Sequence, residues 1–500
     1  MSTFHGLEMA KRALYTQQSA LYTTGHNISN ANTEGYSRQR VNFETLPAYP
    51  TGSRNRPQIP GQLGQGVQAG SVERIRDSFL DLQYRAENSK AGYWETMSES
   101  LYRMESLLNE PSDSGLANTM DKFWQSLQDL AVNPENTGAR SVVVQRGLAV
   151  ADTFNYLTGN LKSMQKDIGK QVEVTVKDAN SLIRQIDRIN NQIKELEPHG
   201  YLPNDLYDER DRLVDELSGI VNIKVHRVES ADSALDIAGG LTRIELVDDS
   251  GAVITNLVDP ESDGATYQEF SFQDTGSDIT VKIAGGDFKV SSNSGSLSSL
   301  LEVYGNGATT DEQKVNFKDM IANIELMAQE FVEEFNSVHN VDGYTLYGEK
   351  PEADFEFFSI DEDTGEVSVS QDIIDDNGLI AASGNGNSGN GENALKLADV
   401  MDKELATNPF NNGATIKSFY EGVIGGLGVA TQESNRMANN TSVLRSQVQE
   451  QRMSVSSVSL DEEMTNMIKF QHAYNAAARN MTAVDEILDR IINNMGIVGR

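Results

Sequence analysis

The 500 residues contain no cysteine, which rules out disulfides and thiolate metal sites. A cysteine-free chain tolerates an oxidising exterior as well as a reducing interior, so this absence assigns no compartment. Long apolar runs are missing too. Nothing approaches the roughly 18 consecutive apolar residues of a membrane-spanning helix. The first residues, MSTFHGLEMAKRAL, lack the continuous apolar core of a cleaved signal peptide, so a chain that leaves the cell would use another route. Histidine is scarce. The six are His5, His26, His199, His226, His339 and His472, and none forms HExxH or a close ligand pair, which argues against a zinc hydrolase. No GxSxG occurs, and Gly425, Gly426 and Gly428 lack a following Lys-Ser or Lys-Thr, so no phosphate cradle is indicated.

Positive charge is the remaining shortage. Lys and Arg number 41 against 74 Asp and Glu, a net charge of −33. Residues 201–400 hold 41 acids and 11 bases, while the other 300 residues hold 33 acids and 30 bases. The middle therefore repels polyanions, which disfavours nucleic acid as a partner. Acidity confined to one segment keeps an exposed domain soluble. An apolar content of 38% with mean hydropathy −0.45 suits an elongated, helix-rich, well-solvated molecule. The length suggests about three domains.

What is present begins at the two ends. Between Ser459 and Met495 the apolar residues Met467, Phe470, Tyr474, Ala477, Met481, Val484, Leu488, Ile491 and Met495 alternate in steps of three and four, the seam of a coiled coil. Ser459 and Glu462 fit a capping box and Gly496 a helix stop. Near the N-terminus Leu7, Leu14, Leu21 and Ile28 recur every seventh position, with Ala10, Gln17 and Thr24 as weak intervening positions. Such a helix is marginal alone, because most helix stability comes from packing. The two ends are expected to pair with each other and then with neighbouring copies, and to be mobile over 1–40 and 460–500 in dilute solution.

Between the ends, Asn27, Asn30 and Asn32 are candidates to end the first helix in left-handed geometry, and Gly35 suits a turn with positive φ. Val41 and Phe43 alternate with polar neighbours as a short extended segment would. Pro47, Pro50, Pro57 and Pro60 with Gly52, Gly61, Gly64 and Gly66 then make a stiff non-helical arm. Helix resumes near Asp77. The spacing predicts a long helix over 139–197, stopped by Pro198 and Gly200, with Val172, Ala179, Ile186 and Ile193 on one heptad position and Ile168, Thr175, Leu182, Ile189 and Leu196 on the other. About 50 residues of it would reach about 75 Å, the length of a rod. Further helices are predicted over 93–108, 311–338 and 415–452, enough for a bundle. The runs 223–228, 241–247 and 279–283 read as strands, with Asp249-Ser250-Gly251 as a hairpin turn and more strand character over 355–369. Asp361-Glu362-Asp363-Thr364-Gly365 lacks the ligand spacing of a calcium loop and reads as a hairpin turn. Residues 383–391, SGNGNSGNG, read as a flexible loop.

The fold class is therefore mainly α with an inserted, acidic β-rich domain. The expected division is a terminal coiled-coil domain (1–46 and 453–500) and an extended arm (47–76). A helical rod (77–205, 300–345 and 395–452) and the β-rich insertion (206–299 and 346–394) complete it.

Four stretches carry a family resemblance. NISNANTEGYSRQ, starting at Asn27, resembles the N-terminal signature of bacterial flagellar axial proteins (rod, hook and hook-associated), and Ser37-Arg38-Gln39 after Gly35-Tyr36 is most similar to the hook-associated members. GQGVQAGSVERIRDSFLDLQYR (64–85), PNDLYDERDRLVDELSGIVNI (203–223) and EEMTNMIKFQHAYNAAARNMTAVDEILDRIINNMG (462–496) are similar to other segments of that family. The resemblance implies a structural, non-catalytic role without cofactor or metal, outside the cell at the hook–filament boundary, after export without a cleaved signal. It implies assembly residues at Asn27, Asn30, Asn32, Gly35 and Tyr36 and along the seam from Met467 to Ile491, to which the heptad spacing adds Leu7, Leu14, Leu21 and Ile28. The implied partners are further copies in a ring layer, the hook protein, the next hook-associated protein towards the filament, and a cytosolic export chaperone on the C-terminal helix. Neither nucleic acid nor membrane insertion is implied. A hook protein shares both terminal patterns but would be richer in strand. A secreted hydrolase on an axial scaffold would need a carboxylate pair that nothing here selects.

Overall fold

The computed structural model describes the chain except residues 1–3, 51–59, 109–114, 277, 289, 292, 307–314, 353–354, 362–363, 405–413 and 495–500. Gly52, Pro57, the Glu362-Asp363 pair, the first residues of the expected 311–338 helix, and the Met495-Gly496 helix end lie outside the described residues. The elements run α1 (His5–Ser29), β1 (Gln39–Thr45), β2 (Val67–Arg74), α2 (Ser78–Leu108), α3 (Leu116–Val132), α4 (Thr137–Leu196) and α5 (Asn204–Ile220). Strands follow: β3 (Ile223–Val228), β4 (Leu241–Val247), β5 (Val253–Val258), β6 (Ser271–Asp274), β7 (Ile279–Ile283) and β8 (Gly286–Asp287). The rest comprises α6 (Ser296–Tyr304), α7 (Phe317–Asp342), β9 (Phe358–Ile360), β10 (Val367–Val369), α8 (Gln371–Asp375), α9 (Glu392–Ala398), α10 (Ile416–Ser456) and α11 (Leu460–Asn494). The architecture is mainly α with small antiparallel sheets, as the patterning implies. Two compact units form, one from residues 1–88, 179–269 and 442–500, the other from 89–178 and 270–441.

In the first unit α1 lies antiparallel to α11: Val484 faces Gly6 at one end, and Glu463 bonds Asn27 at the other. The buried side of α1 differs from the expected one. Leu7, Leu14, Leu21 and Ile28 are half-buried, whereas Ala10, Thr16, Ala20, Thr24 and Asn27 are fully buried. Small side chains let the two backbones approach, so the weak positions of the heptad are the contact. The proline-rich arm is not a free linker. Its end is β2, which pairs antiparallel with β1 through a bulge at Asn42/Phe43 and packs on α1, where the Thr16 hydroxyl lies 3.3 Å from the Val67 carbonyl. Phe43 meets Phe470 edge-on, seating β1 on α11. The sheet β3–β4–β5 completes this unit, and the 248–252 turn is closed by the Asp248 carboxylate accepting from the Ser250 and Ala252 amides. Asn190 of α4 bonds both backbone groups of Thr242, which fixes the sheet on the helix.

Proline and glycine end α4 as expected: Pro198 starts a short 3-10 turn and Gly200 takes φ +77°. The 60-residue helix buries Val172, Ala179, Ile186 and Ile193 completely. At the other heptad position Ile168, Leu182 and Ile189 are buried, but Thr175 is half-buried, and Leu196 is exposed because the packed face runs out at the helix end. The acidic middle is not one β-domain. Strands β3 to β5 belong to the first unit, while β6 to β10 belong to the second.

The second unit is organised on aromatics. Phe123 and Trp124 of α3, Phe154 of α4, Phe331 and Phe335 of α7, and Phe357 and Phe358 beside β9 form one cluster with ring centroids 4.8–6.4 Å apart. Edge-on and tilted geometries of this kind stabilise beyond area burial. Asn316 caps α7, its Oδ1 accepting from the Asp319 amide at 2.8 Å. Strands β9 and β10 pair antiparallel, and the Asp361 carboxylate accepts from the Thr364 amide. The 383–391 stretch is bonded rather than loose: Ser383 pairs with Tyr344, and Asn390 Oδ1 accepts from the Gly384 and Glu392 amides. At Gly391 an added Cβ would lie 2.1 Å from the Ala131 carbonyl oxygen, so this turn requires glycine.

His339 is fully buried near the end of α7, its Nε2 accepting from the Ala381 amide at 3.0 Å and its Nδ1 lying 2.9 Å from Asn340 Oδ1. Burial, with a smaller push from Arg140, lowers its pKa from 6.5 to about 4. The unfolded chain takes up this proton from pH 6.5 downward and the folded chain only near pH 4. The neutral ring's contribution is therefore present above 6.5 and lost as pH falls towards 4, about 3 kcal/mol in total. Thermal unfolding between pH 7 and 4 should show a steeper loss for the wild type than for His339→Gln, whose amide oxygen still accepts from Ala381. Parallel curves would rule the account out.

Candidate functional site

The four resemblance-bearing stretches lie far apart in sequence, yet they meet in the first unit. At the centre is Asn27, which is 1% exposed. Its Nδ2 donates to the Gln39 carbonyl at 2.8 Å and to Glu463 Oε2 at 3.0 Å. Its Oδ1 accepts from the Gln39 amide at 3.0 Å and the Tyr36 hydroxyl at 2.8 Å. All four capacities of the amide are used, which fixes the residue type. Asn27→Asp keeps the shape but turns two donors into acceptors facing a carbonyl and a carboxylate. It should cost about 2–4 kcal/mol and free β1 from α11. Hydrogen exchange of residues 36–45 reads this; unchanged protection would contradict it.

Arg38 is the second tie. Its Nε donates to Glu463 and its two terminal nitrogens to Glu462, at 2.7–2.9 Å. Its amide donates to the Ser456 carbonyl and its carbonyl accepts from Ile75. One residue thus holds the end of α10, the start of α11 and the lead into α2. Glu462, expected to close a capping box with Ser459, spends both oxygens on Arg38 instead. Fork-to-fork pairing of this kind adds orientation as well as energy.

Beneath these contacts lies a buried charge network. On α5, Asp208, Asp211 and Asp215 fall at i, i+3 and i+7, hence on one face. Arg74 Nη1 meets Asp208 at 2.8 Å and Asp211 at 2.9 Å, and Arg85 meets Asp215 at 2.7 Å and Asp211 at 3.2 Å. Arg76 meets Asp81 at 2.6 Å and Asp211 at 3.4 Å; Arg452 of α10 meets Asp81 at 2.8 Å and Asp215 at 2.5 Å. Four guanidiniums balance four carboxylates, and each side chain is at most 16% exposed. Burial works to raise the pKa of Asp211, but Arg76, Arg74 and Arg85 overcome it and hold the carboxyl far below the usual range. Asp208 goes the other way: burial raises it despite Arg74 and the Ser37 amide, because it faces fewer cations. Asn204 and Gln39 complete the joint, Asn204 donating to Val72 and Gln39 to Asp205.

The other site residues fall in three groups. Gly35 turns with φ +79° and Tyr36 bonds Asn27, as expected of a turn. Asn27, Asn30 and Asn32 are not left-handed: Asn27 lies within α1, and Asn30 follows it with φ −103°. Among the described residues Ala284 is the left-handed non-glycine. Along α11, Ala477 and Leu488 are buried, Met467, Phe470, Tyr474, Met481 and Val484 half-buried, and Ile491 exposed. Sequence reading missed Arg38, Arg74, Arg76, Arg85, Arg452 and their aspartates. The spacing of Asp208, Asp211 and Asp215 was the available signal. Among the described residues no group of three or more His, Asp or Glu could hold a metal ion, and no helix is long and apolar enough to cross a membrane.

Comparison with known proteins places these paired terminal helices among the axial components of the bacterial flagellum. A family model for the helical domain of flagellar hook-associated protein FlgK matches residues 101–358. Models for the C-terminal part of the basal body rod FlgEFG proteins and for flagella basal body rod protein match 449–495 and 7–36. Flagellar hook-associated protein 1 of Bacillus subtilis is 43% identical across the whole of both chains. Its Escherichia coli namesake is 24% identical over 97% of this chain and 98% of that one. The flagellar hook junction protein FlgK from Burkholderia pseudomallei has a similar fold, with TM-score 0.59 at 13% identity, covering 75% of this chain and all of that one. The chain belongs to the family of flagellar hook-associated protein 1, structural components of the flagellum.

Proposed function

We propose that this chain joins hook to filament, with the α1–α11 pair as the element through which copies assemble. The observation that carries this is a set of large apolar side chains left outside the pair. The pair buries one set of side chains between its helices but leaves Tyr15 and Tyr22 of α1 and Met464, Ile468, Ile487 and Ile492 of α11 more than half exposed. Large apolar side chains exposed on both members of a pair mark a surface for other chains to cover. These side chains, with the half-buried Leu7, Leu14, Leu21 and Ile28 and the exposed Ile491, would pack against other copies in a ring layer. The hook protein would lie on one side of that layer and the next hook-associated protein on the other.

On this reading the chain is exported without a cleaved signal, with α11 held by a cytosolic chaperone until it folds at the growing tip. At the two ends, mobility in the lone chain would be confined to the parts of α1 and α11 distal to the Asn27–Arg38 joint. The role is structural rather than catalytic, in keeping with the relatives. Deleting Leu488–Arg500 removes the end of α11 and should leave a folded, soluble chain that no longer supports filament growth. Normal filaments from the truncated chain would overturn the proposal. Purified chain that cleaves cell-wall glycan or peptide would favour a hydrolase instead.

A further inference from the structure

We propose that residues 421–441 of α10 are a soft joint, a length of helix that bends and opens while its surroundings stay packed. Gly422, Gly425, Gly426 and Gly428 occur within two turns. A Cβ at any of them would meet nothing within 4 Å, and none has positive φ, so neither close approach nor backbone geometry requires glycine here. Their remaining effect is to weaken the helix, since each glycine costs backbone entropy that alanine would not. Clustered glycines are also a recognised cause of helix bending.

The packed side of the same stretch is the independent observation. Between Tyr420 and Val448 the fully buried residues of α10 are Leu427, Thr431, Ser434 and Thr441, so one large apolar side chain anchors about seven turns. The Thr431 hydroxyl is buried without a partner among the described residues, and Thr441 turns its hydroxyl back onto the Met437 and Ala438 carbonyls, a habit that bends helices. The start of the helix is well held, by buried Ile416 and Tyr420 and by Lys417 at 3.5 Å from Asp121. By contrast Gly159 of α4 also has open space around it, but buried Phe154, Leu157 and Leu161 flank it, so opening there would break the core. On the assembly reading above, on which its use rests, the joint lets α10 change curvature when neighbouring copies press on the subunit.

Hydrogen exchange read by mass spectrometry on the full chain tests this. In the wild type, amides of 421–441 should exchange at least about 100-fold faster than those of residues 321–335, which opening of the aromatic core would have to expose. The variant Gly422→Ala/Gly425→Ala/Gly426→Ala/Gly428→Ala should slow exchange over 421–441 on the order of a few hundred-fold, from the summed helix propensities. Gly159→Ala should leave it unchanged. Wild-type protection equal to that of 321–335, no slowing in the fourfold variant, or equal slowing by Gly159→Ala would each overturn the joint. Exchange is read on the isolated chain, so these outcomes are independent of whether it assembles.

Discussion

Replacing Asp211 with alanine should destabilise the first unit by about 3–5 kcal/mol, the cost of leaving buried charge uncompensated. Asp211 bridges Arg74, Arg76 and Arg85, so its loss leaves four guanidiniums facing three carboxylates in a nearly dry space. Urea unfolding followed by tryptophan fluorescence would miss this, because Trp94 and Trp124 both lie in the second unit. Hydrogen exchange under urea, peptide by peptide, resolves the two units. Peptides from 203–220 and 67–74 should lose protection at lower urea than in the wild type, while those from 321–335 should not move. A second substitution, Arg85→Met, removes the excess cation and should recover part of the loss, a coupling a double-mutant cycle measures. Additive effects of the two changes would show that the charges act separately, against the account.

Arg140→Ala should have a comparable effect on the second unit, about 3–5 kcal/mol. Arg140 is 1% exposed and has no carboxylate within ion-pair distance among the described residues. Its guanidinium is held by backbone oxygens instead: Nε donates to Pro134 at 2.8 Å, and Nη1 to Asn377 at 3.1 Å and Ile380 at 2.8 Å. Burial brings its pKa down to about 10, still charged at neutral pH. Truncation strands several carbonyls and unpins the 377–380 turn from the start of α4. Arg140→Lys keeps the charge but not the fork, and should recover less than half of the loss. Thermal unfolding measures both; a change of less than about 0.5 kcal/mol for the alanine variant would mean that water replaces the guanidinium at no cost.

Much of this fold is legible in the sequence, for reasons that differ by element. The heptads of α4 and the β-branched runs of β3, β4 and β7 are local signals; the strand bounds are those expected, and those of α4 lie within two residues of the expected ones. The junction was half legible. The motif Asn27 to Gln39 marked the right place, but its asparagines suggested a helix end when Asn27 works as a long-range amide clamp. That role depends on Glu463, 436 residues away, which no local pattern contains. The charge network was hidden for the same reason: Arg74, Arg76, Arg85 and Arg452 look like solvated surface until α5 is brought beside them. The acidic middle misled most. Composition groups residues by charge, whereas packing divided these strands between the two units.

The central claim is that the apolar side chains left exposed on the α1–α11 pair serve other molecules and not the fold of the single chain. The direct measurement is a cell lacking this protein, supplied with the Ile468→Glu/Ile487→Glu variant. Both side chains are more than half exposed, so the purified variant should unfold at the wild-type temperature. The account predicts normal stability together with failure to enter the flagellum and loss of filaments. Full-length filaments and wild-type swimming from that variant would contradict it.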